Sequence, residues 1–161
     1  MTFKMNDKTA AILQGWNFND FTDVFKQCAI VFRRSMGSLF ANTGGRVNAS
    51  RLIEQPRWKE LNPKYKAWKA KIVPFGTLVF SGELASSFTE KGANYNIEKI
   101  GKKEAVFGSS HPLARIHQEG LGKVPKRPIV FESEFRNKAF LRILADNIVA
   151  RFEAKGVKIK L

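Results

Sequence analysis

The side chains best suited to chemistry are few: two histidines, His111 and His117, and one cysteine, Cys28. An imidazole changes charge near neutral pH, which makes it the usual general base and a common metal ligand. A nucleophilic mechanism needs a serine or thiol held beside such a base, and a zinc-type site needs ligands at matched spacing. The spacing here fits neither. His111 and His117 are six residues apart, which does not bring both onto one helical face. Cys28 has no second cysteine to pair with and lies on an apolar helical stripe, where a thiol acts as a small core residue. No G-x-S-x-G elbow, S-x-x-K pair or H-E-x-x-H motif occurs, and Thr43-Gly44-Gly45-Arg46 lacks the Gly-Lys-Ser/Thr ending of a phosphate loop. Acidic residues are scattered, which gives no support to paired-carboxylate chemistry. These residues predict a protein that is not an enzyme, without cofactor or metal.

His117 is better read with its neighbours, in the stretch from Leu113 to Phe131. Pro112 suits a first helical position, Ser110 or His111 the cap, and Gly120 the residue just past the end. Leu113, Ile116 and His117 then share a face, so His117 is expected to be half-buried and hydrogen-bonded to nearby backbone. Gly122 to Pro128 follows as a loop stiffened by Pro125 and Pro128, leading into Ile129-Val130-Phe131. The stretch reads as a structural corner. Its loop carries Lys123, Lys126 and Arg127 with little apolar content, which predicts a segment presenting charge to a partner.

Charge is the dominant bulk property, with 28 basic against 14 acidic residues, a net +14 and a pI near 10.2. Such a surplus attracts nucleic acid, anionic membranes or acidic protein surfaces. It is densest from Arg51 to Ile72. There an apolar stripe of Trp58, Leu61, Tyr65, Trp68 and Ile72 runs among Lys64, Lys66, Lys69 and Lys71. Lysines interleaved with aromatics can neutralise phosphates and stack bases, so the four lysines are candidate contacts to DNA or to an acidic partner. The i, i+3, i+7 spacing of Tyr65, Trp68 and Ile72 predicts instead that the aromatics face the core and the lysines face water.

The elements that must position these groups follow from periodicity and punctuation. Phe21, Val24, Phe25, Cys28, Val31, Phe32, Ser35 and Leu39 predict a long helix to about Phe40, capped by Asn17 or Asn19. Asn62 and Pro63 can start a second helix. Ser81-Gly82-Glu83-Leu84 reads as a capped helical turn. Phe88-Thr89, Tyr95-Asn96-Ile97 and Ala105-Val106-Phe107 read as short strands of an antiparallel meander. Ser133 caps a last helix with Leu141, Leu144, Ile148 and Phe152 as its stripe, ended by Lys155-Gly156. Val157 to Leu161 alternates as a terminal edge strand, whose Val157, Ile159 and Leu161 are candidate interface residues.

The fold predicted is α+β: one domain over residues 1–161, residues 1–16 forming an N-terminal arm. Its long N-terminal helix and its C-terminal helix pack on a small antiparallel sheet. A lone cysteine excludes an intramolecular disulfide, and no stretch approaches 18 apolar residues. The expectation is a soluble protein made in a cytoplasm, with no membrane partner.

One ordered series of motifs goes further. Trp58-x-x-Leu61-x-Pro63-x-Tyr65, Leu78-x-x-Ser81-Gly82-x-Leu84-x-x-Ser87, Ile116-His117-Gln118-x-Gly120 and Arg127-Pro128 follow one another. The series resembles the phage virion morphogenesis family, the tail-completion or neck proteins of Mu-like and related tailed phages. The likeness spans roughly Arg57 to Phe131. It departs from the family pattern at Leu113-Ala114, where the family has a tyrosine-alanine pair, and at Glu119, where it has an aromatic. What the resemblance implies is a non-enzymatic subunit of the virion, made in the host bacterial cytoplasm and placed at the head–tail junction. It implies a homo-oligomeric ring, a hexamer, that meets neighbouring neck, connector or tail-terminator proteins and contacts passing DNA without sequence preference. The alternative is a basic module that binds nucleic acid non-specifically and has no part in a virion.

Overall fold

A computed structural model describes residues 20–41, 58–73 and 76–156. Helix α1, Thr22–Ala41, begins where the Asp20 carboxylate accepts a hydrogen bond from the Thr22 N–H at 3.0 Å. A hydrogen bond from the Thr22 side chain, and after it this backbone bond, hold the Asp20 carboxyl below the usual range. Asn17 and Asn19, the expected caps, lie outside the described residues. The buried stripe of α1 is Val24, Cys28, Ala29, Phe32, Met36, Leu39 and Phe40. Ala29 and Met36 are buried where Phe25, Val31 and Ser35 were expected and are only half-buried. The reason is that α1 is covered from two sides, which widens its buried face beyond one stripe.

On one side lie helix α3, Glu83–Thr89, and a hairpin of β1, Asn96–Ile100, and β2, Ala105–Ser109. The strands pair antiparallel, with Asn96 opposite Ser109 and Ile100 opposite Ala105. Phe88 and Thr89, expected in a strand, close α3 instead. Helical spacing turns Leu84, Ser87 and Phe88 together into the core, and Phe88 meets Phe40 at 6.0 Å between ring centroids. The expected meander is thus a helix followed by two paired strands.

On the other side lies the C-terminal helix α5, Glu134–Glu153, capped by Ser133 as its sequence predicts. It packs on α1, which itself touches both strands. An arginine near each end ties the two helices together. Arg136 donates to the Ser35 hydroxyl at 3.1 Å and to the Phe131 carbonyl, with its guanidinium 4.9 Å from the Phe131 ring centroid. Arg151 donates to the Asp20 carbonyl at 2.7 Å. Of the predicted stripe of α5, Leu144, Ile148 and Phe152 are half-buried, whereas Leu141 is 65% exposed. The helix contributes partial burial plus one buried cation, Arg136, and one half-buried cation, Arg151, so its apolar spacing overstated its contact.

Two shorter helices complete an α+β fold: α2, Pro63–Ile72, and α4, Pro112–Glu119. Both start as predicted. The Asn62 side chain accepts from the Lys64 N–H at 3.0 Å ahead of Pro63, and His111 Nδ1 accepts from the Leu113 N–H at 3.2 Å ahead of Pro112. No helix among the described residues is long and apolar enough to cross a membrane. The expected arm at 1–16 and the expected terminal strand, with Val157, Ile159 and Leu161, lie outside the described residues.

Candidate functional site

The corner formed by α4, the loop after it and the segment before α2 gathers most of the motif residues. Gly120 ends α4 in the left-handed conformation, φ +74°, and a Cβ there would stand 2.9 Å from the Lys126 backbone nitrogen. Only glycine lets the loop fold back so closely. The returning chain is held first by the Arg127 N–H, which donates to the His117 carbonyl at 2.7 Å. Gln118 then acts as a short stretch of sheet edge. Its Oε1 accepts from the Ile129 and Val130 N–H groups at 2.8 and 3.0 Å, and its Nε2 donates to the Val130 carbonyl at 2.7 Å. Ile129 and Val130 therefore pair with a side chain and with no strand among the described residues.

Arg127 and Pro128 reach across to the segment preceding α2. The Arg127 side chain is buried, 4% exposed, with Nε donating to the Lys59 carbonyl at 2.9 Å and Nη2 to the Glu60 carbonyl at 3.3 Å. Trp58 Nε1 donates to the Pro128 carbonyl at 2.8 Å, and its ring meets Phe40 edge-on. Burial lowers the Arg127 pKa, though a guanidinium keeps its charge. The expectation of a loop loosely attached and presenting Arg127 to a partner is corrected here. A buried guanidinium must satisfy its donors inside the protein, and Arg127 does so on backbone carbonyls. Lys123 and Lys126 remain exposed on the outer surface of this corner.

His117 is half-buried as expected, but its Nδ1 is enclosed without a hydrogen-bond partner, so the expected side-chain bond to backbone at that nitrogen is absent. Burial, and after it the Arg127 charge, push the His117 imidazole below its ordinary pKa. His111 stands apart, capping α4, with Nε2 3.7 Å from a Glu83 carboxylate oxygen and the Tyr95 ring edge-on at 4.9 Å. The two histidines therefore sit at opposite ends of α4, in different surroundings.

The remaining motif residues build α3. Ser81 Oγ accepts from the Glu83 N–H at 3.4 Å, Gly82 takes the left-handed cap position at φ +86°, and Leu84 is buried. Ser87 is fully buried; its hydroxyl donates to the Leu84 carbonyl and pairs with Ser109 Oγ at 2.7 Å. Leu61 is half-buried.

Helix α2 overturns an expectation. Tyr65, Trp68 and Ile72, assigned to the core, are 44%, 48% and 54% exposed, and the buried residue of α2 is Lys69. The ammonium of Lys69 donates to the Gly76 and Thr77 carbonyls, so it is turned inward and is withdrawn from any DNA or acidic partner. Burial lowers its pKa. Lys64, Lys66 and Lys71 are exposed, Lys66 lying 3.6 Å from the exposed Glu60 carboxylate. The rings form a ladder: Tyr65 and Trp68 centroids lie 5.5 Å apart, and Trp68 stacks on the half-exposed Phe80 at 6.1 Å with planes 12° apart. Phe80 was missed because the sequence shows it only as part of a short apolar run.

Comparison of this chain with family models, curated proteins and solved structures returned no match.

Proposed function

We propose that this chain is a structural subunit of the phage head–tail junction, which assembles as a ring and completes the tail or joins it to the filled head. The observation that carries the reading is convergence. Trp58, Gln118, Gly120, Arg127 and Pro128 belong to motifs spread over some seventy positions, and they meet in one clasp of hydrogen bonds. Residues that carry a resemblance because they maintain a shared scaffold are expected to touch one another in this way. Their polar atoms are committed to backbone partners, as suits a subunit whose task is shape. Outside the clasp, exposed Lys123 and Lys126 border the half-exposed Leu121 and Val130, a mixed surface of the kind subunits bury against one another. A ring uses such a patch against a different patch on the next copy.

A second reading, a basic module binding nucleic acid non-specifically, is favoured by α2, which has no acidic residue and three exposed lysines. Native mass spectrometry separates the two. The junction reading predicts a discrete closed oligomer, a hexamer of the 18.2 kDa chain, in the absence of DNA. A monomer at every concentration, which becomes multimeric only along added DNA, supports the second reading instead.

A further inference from the structure

We infer that the exposed face of α2 is the docking site for an acidic amphipathic helix of another protein. That helix lays its apolar side chains along Tyr65, Trp68 and Ile72 and its carboxylates against Lys64 and Lys71. The site goes beyond a role in shape and does not require that the chain form a ring.

The spacing of the exposed side chains selects a helix. Tyr65, Trp68 and Ile72 stand at i, i+3 and i+7, and each is about half exposed. This is the a, d, a spacing of a heptad seam, the pattern that accepts a second helix by knobs-into-holes packing. The seam runs over about two helical turns, and Phe80, stacked on Trp68 at 6.1 Å and also half exposed, widens it. Trp68 is already in contact with both Tyr65 and Phe80, so the open surface is a mixed one of packed ring and aliphatic Ile72, which suits apolar side chains. Scattered exposed apolar residues are ordinary, but four together mark an interaction surface. Trp and Tyr are also the residues on which interfaces concentrate their binding energy.

The charges select an acidic partner. With Tyr65 and Ile72 at a, Lys64 and Lys71 fall at g, one heptad apart on the same flank, and both are exposed. The g positions of a seam are where ion pairs to the facing helix form. The opposite flank is closed. Lys69, at e, is the buried residue of α2 and donates to the Gly76 and Thr77 carbonyls. Lys66, at b, lies on the far side of the helix from the seam, where its neighbour is the exposed Glu60 at 3.6 Å. A facing helix therefore meets one apolar seam with one basic flank, and α2 itself carries no acidic residue.

A second copy of this chain does not supply that helix. Among the described residues, Asp23, Glu119, Glu134 and Asp146 each pair with a basic residue three or four positions away on their own helix. No helix of the chain thus offers an open acidic stripe, and at net +14 its other faces repel α2.

The test is fluorescence anisotropy of labelled peptides about three heptads long, titrated with the full chain. The first peptide has leucine at a and d and glutamate at e and g. The second replaces glutamate with lysine, and the third keeps glutamate and replaces leucine with alanine. The expected result is binding of the first alone, weakened by added salt. Trp68→Ala should weaken it about tenfold. Lys64→Glu combined with Lys71→Glu should exchange the preference, so that the lysine peptide binds better than the glutamate peptide. Both lysines are exposed, so this variant should keep its fold, and circular dichroism melting checks each variant. The assignment is overturned if the glutamate peptide does not bind, or if glutamate and lysine peptides bind alike. Full affinity in folded Trp68→Ala, or an unchanged preference in the charge-reversed chain, overturns it too. Trp68-dependent self-association by sedimentation velocity, or Trp68-dependent binding of oligodeoxythymidylate, in a chain that ignores the peptides gives the face to a second copy or to nucleic acid instead. Since the titration involves no ring and no virion, its failure leaves the junction reading standing, and failure of the junction reading leaves the titration unaffected.

Discussion

Gln118 holds Val130 at both backbone atoms, accepting from its N–H at 3.0 Å and donating to its carbonyl at 2.7 Å. A third bond, from the Ile129 N–H at 2.8 Å, completes the carboxamide's grip on a segment that has no strand partner among the described elements. Ile129 itself is buried, 1% exposed, so the grip delivers an apolar side chain to the core. Gln118→Ala leaves the part-buried Ile129 N–H without its partner while the exposed Val130 groups turn to water, a loss of about 1 kcal/mol. Thermal melting should show a fall of several degrees, by the usual scaling for a chain of this size. Gln118→Glu should not restore the loss, because it removes the donor to the Val130 carbonyl.

Arg127 and Lys126 are adjacent in sequence and opposite in role, and charge reversal should separate them. Arg127→Glu replaces two carbonyl-bonded donors with a buried carboxylate facing the Lys59 and Glu60 carbonyls, which costs several kcal/mol and should abolish the cooperative melt. Lys126→Glu, on the surface, should stay within about 0.5 kcal/mol of the parent. An assembly defect in Lys126→Glu with an unchanged melting temperature identifies the outer surface of the clasp as an interface. If Arg127→Glu melts like the parent, the clasp is not as described.

Gly120→Ala tests the turn itself. The substitution places a Cβ in the left-handed region and 2.9 Å from the Lys126 nitrogen, so backbone must shift. The strained conformation alone costs about 1 kcal/mol, and the clash adds to it. Gly122→Ala shares the positive φ but meets nothing within 4 Å, so its loss in a chemical denaturation series should be visibly smaller.

Much of the fold was legible in the sequence because its punctuation is local. Asn62-Pro63, His111-Pro112, Ser133 and Gly120 each act within one helical turn, and each sits where its residue type predicts. The faces of the helices were harder. Whether Tyr65, Trp68 and Ile72 are covered depends on which distant element packs against α2, and spacing alone does not encode that. The inward turn of Lys69 and the pairing of Arg136 with Ser35, across 101 positions, leave no local signal at all. The clasp lies between these cases: its helix end was readable, and its backbone grip by Gln118 was not.

His117 gives the fold a pH dependence. Burial and then the Arg127 charge depress its folded pKa below the ordinary value of 6.5, so the unfolded chain binds the proton first. The stability it contributes is full above about pH 6.5 and is lost as pH falls below that value toward the depressed folded pKa. Melting temperatures from pH 7.5 to 5 should fall more steeply for the parent than for His117→Gln. Parallel curves would show that His117 does not link protonation to folding.

The central claim concerns the head–tail junction, and electron microscopy of particles tests it most directly. If the proposal holds, the gene lies in a phage or prophage; it is deleted there, particles are induced, and heads and tails are counted. The account predicts filled heads and separate or unfinished tails, restored to joined particles when the chain is supplied from a plasmid. Joined, infectious particles at normal yield without the chain would contradict it.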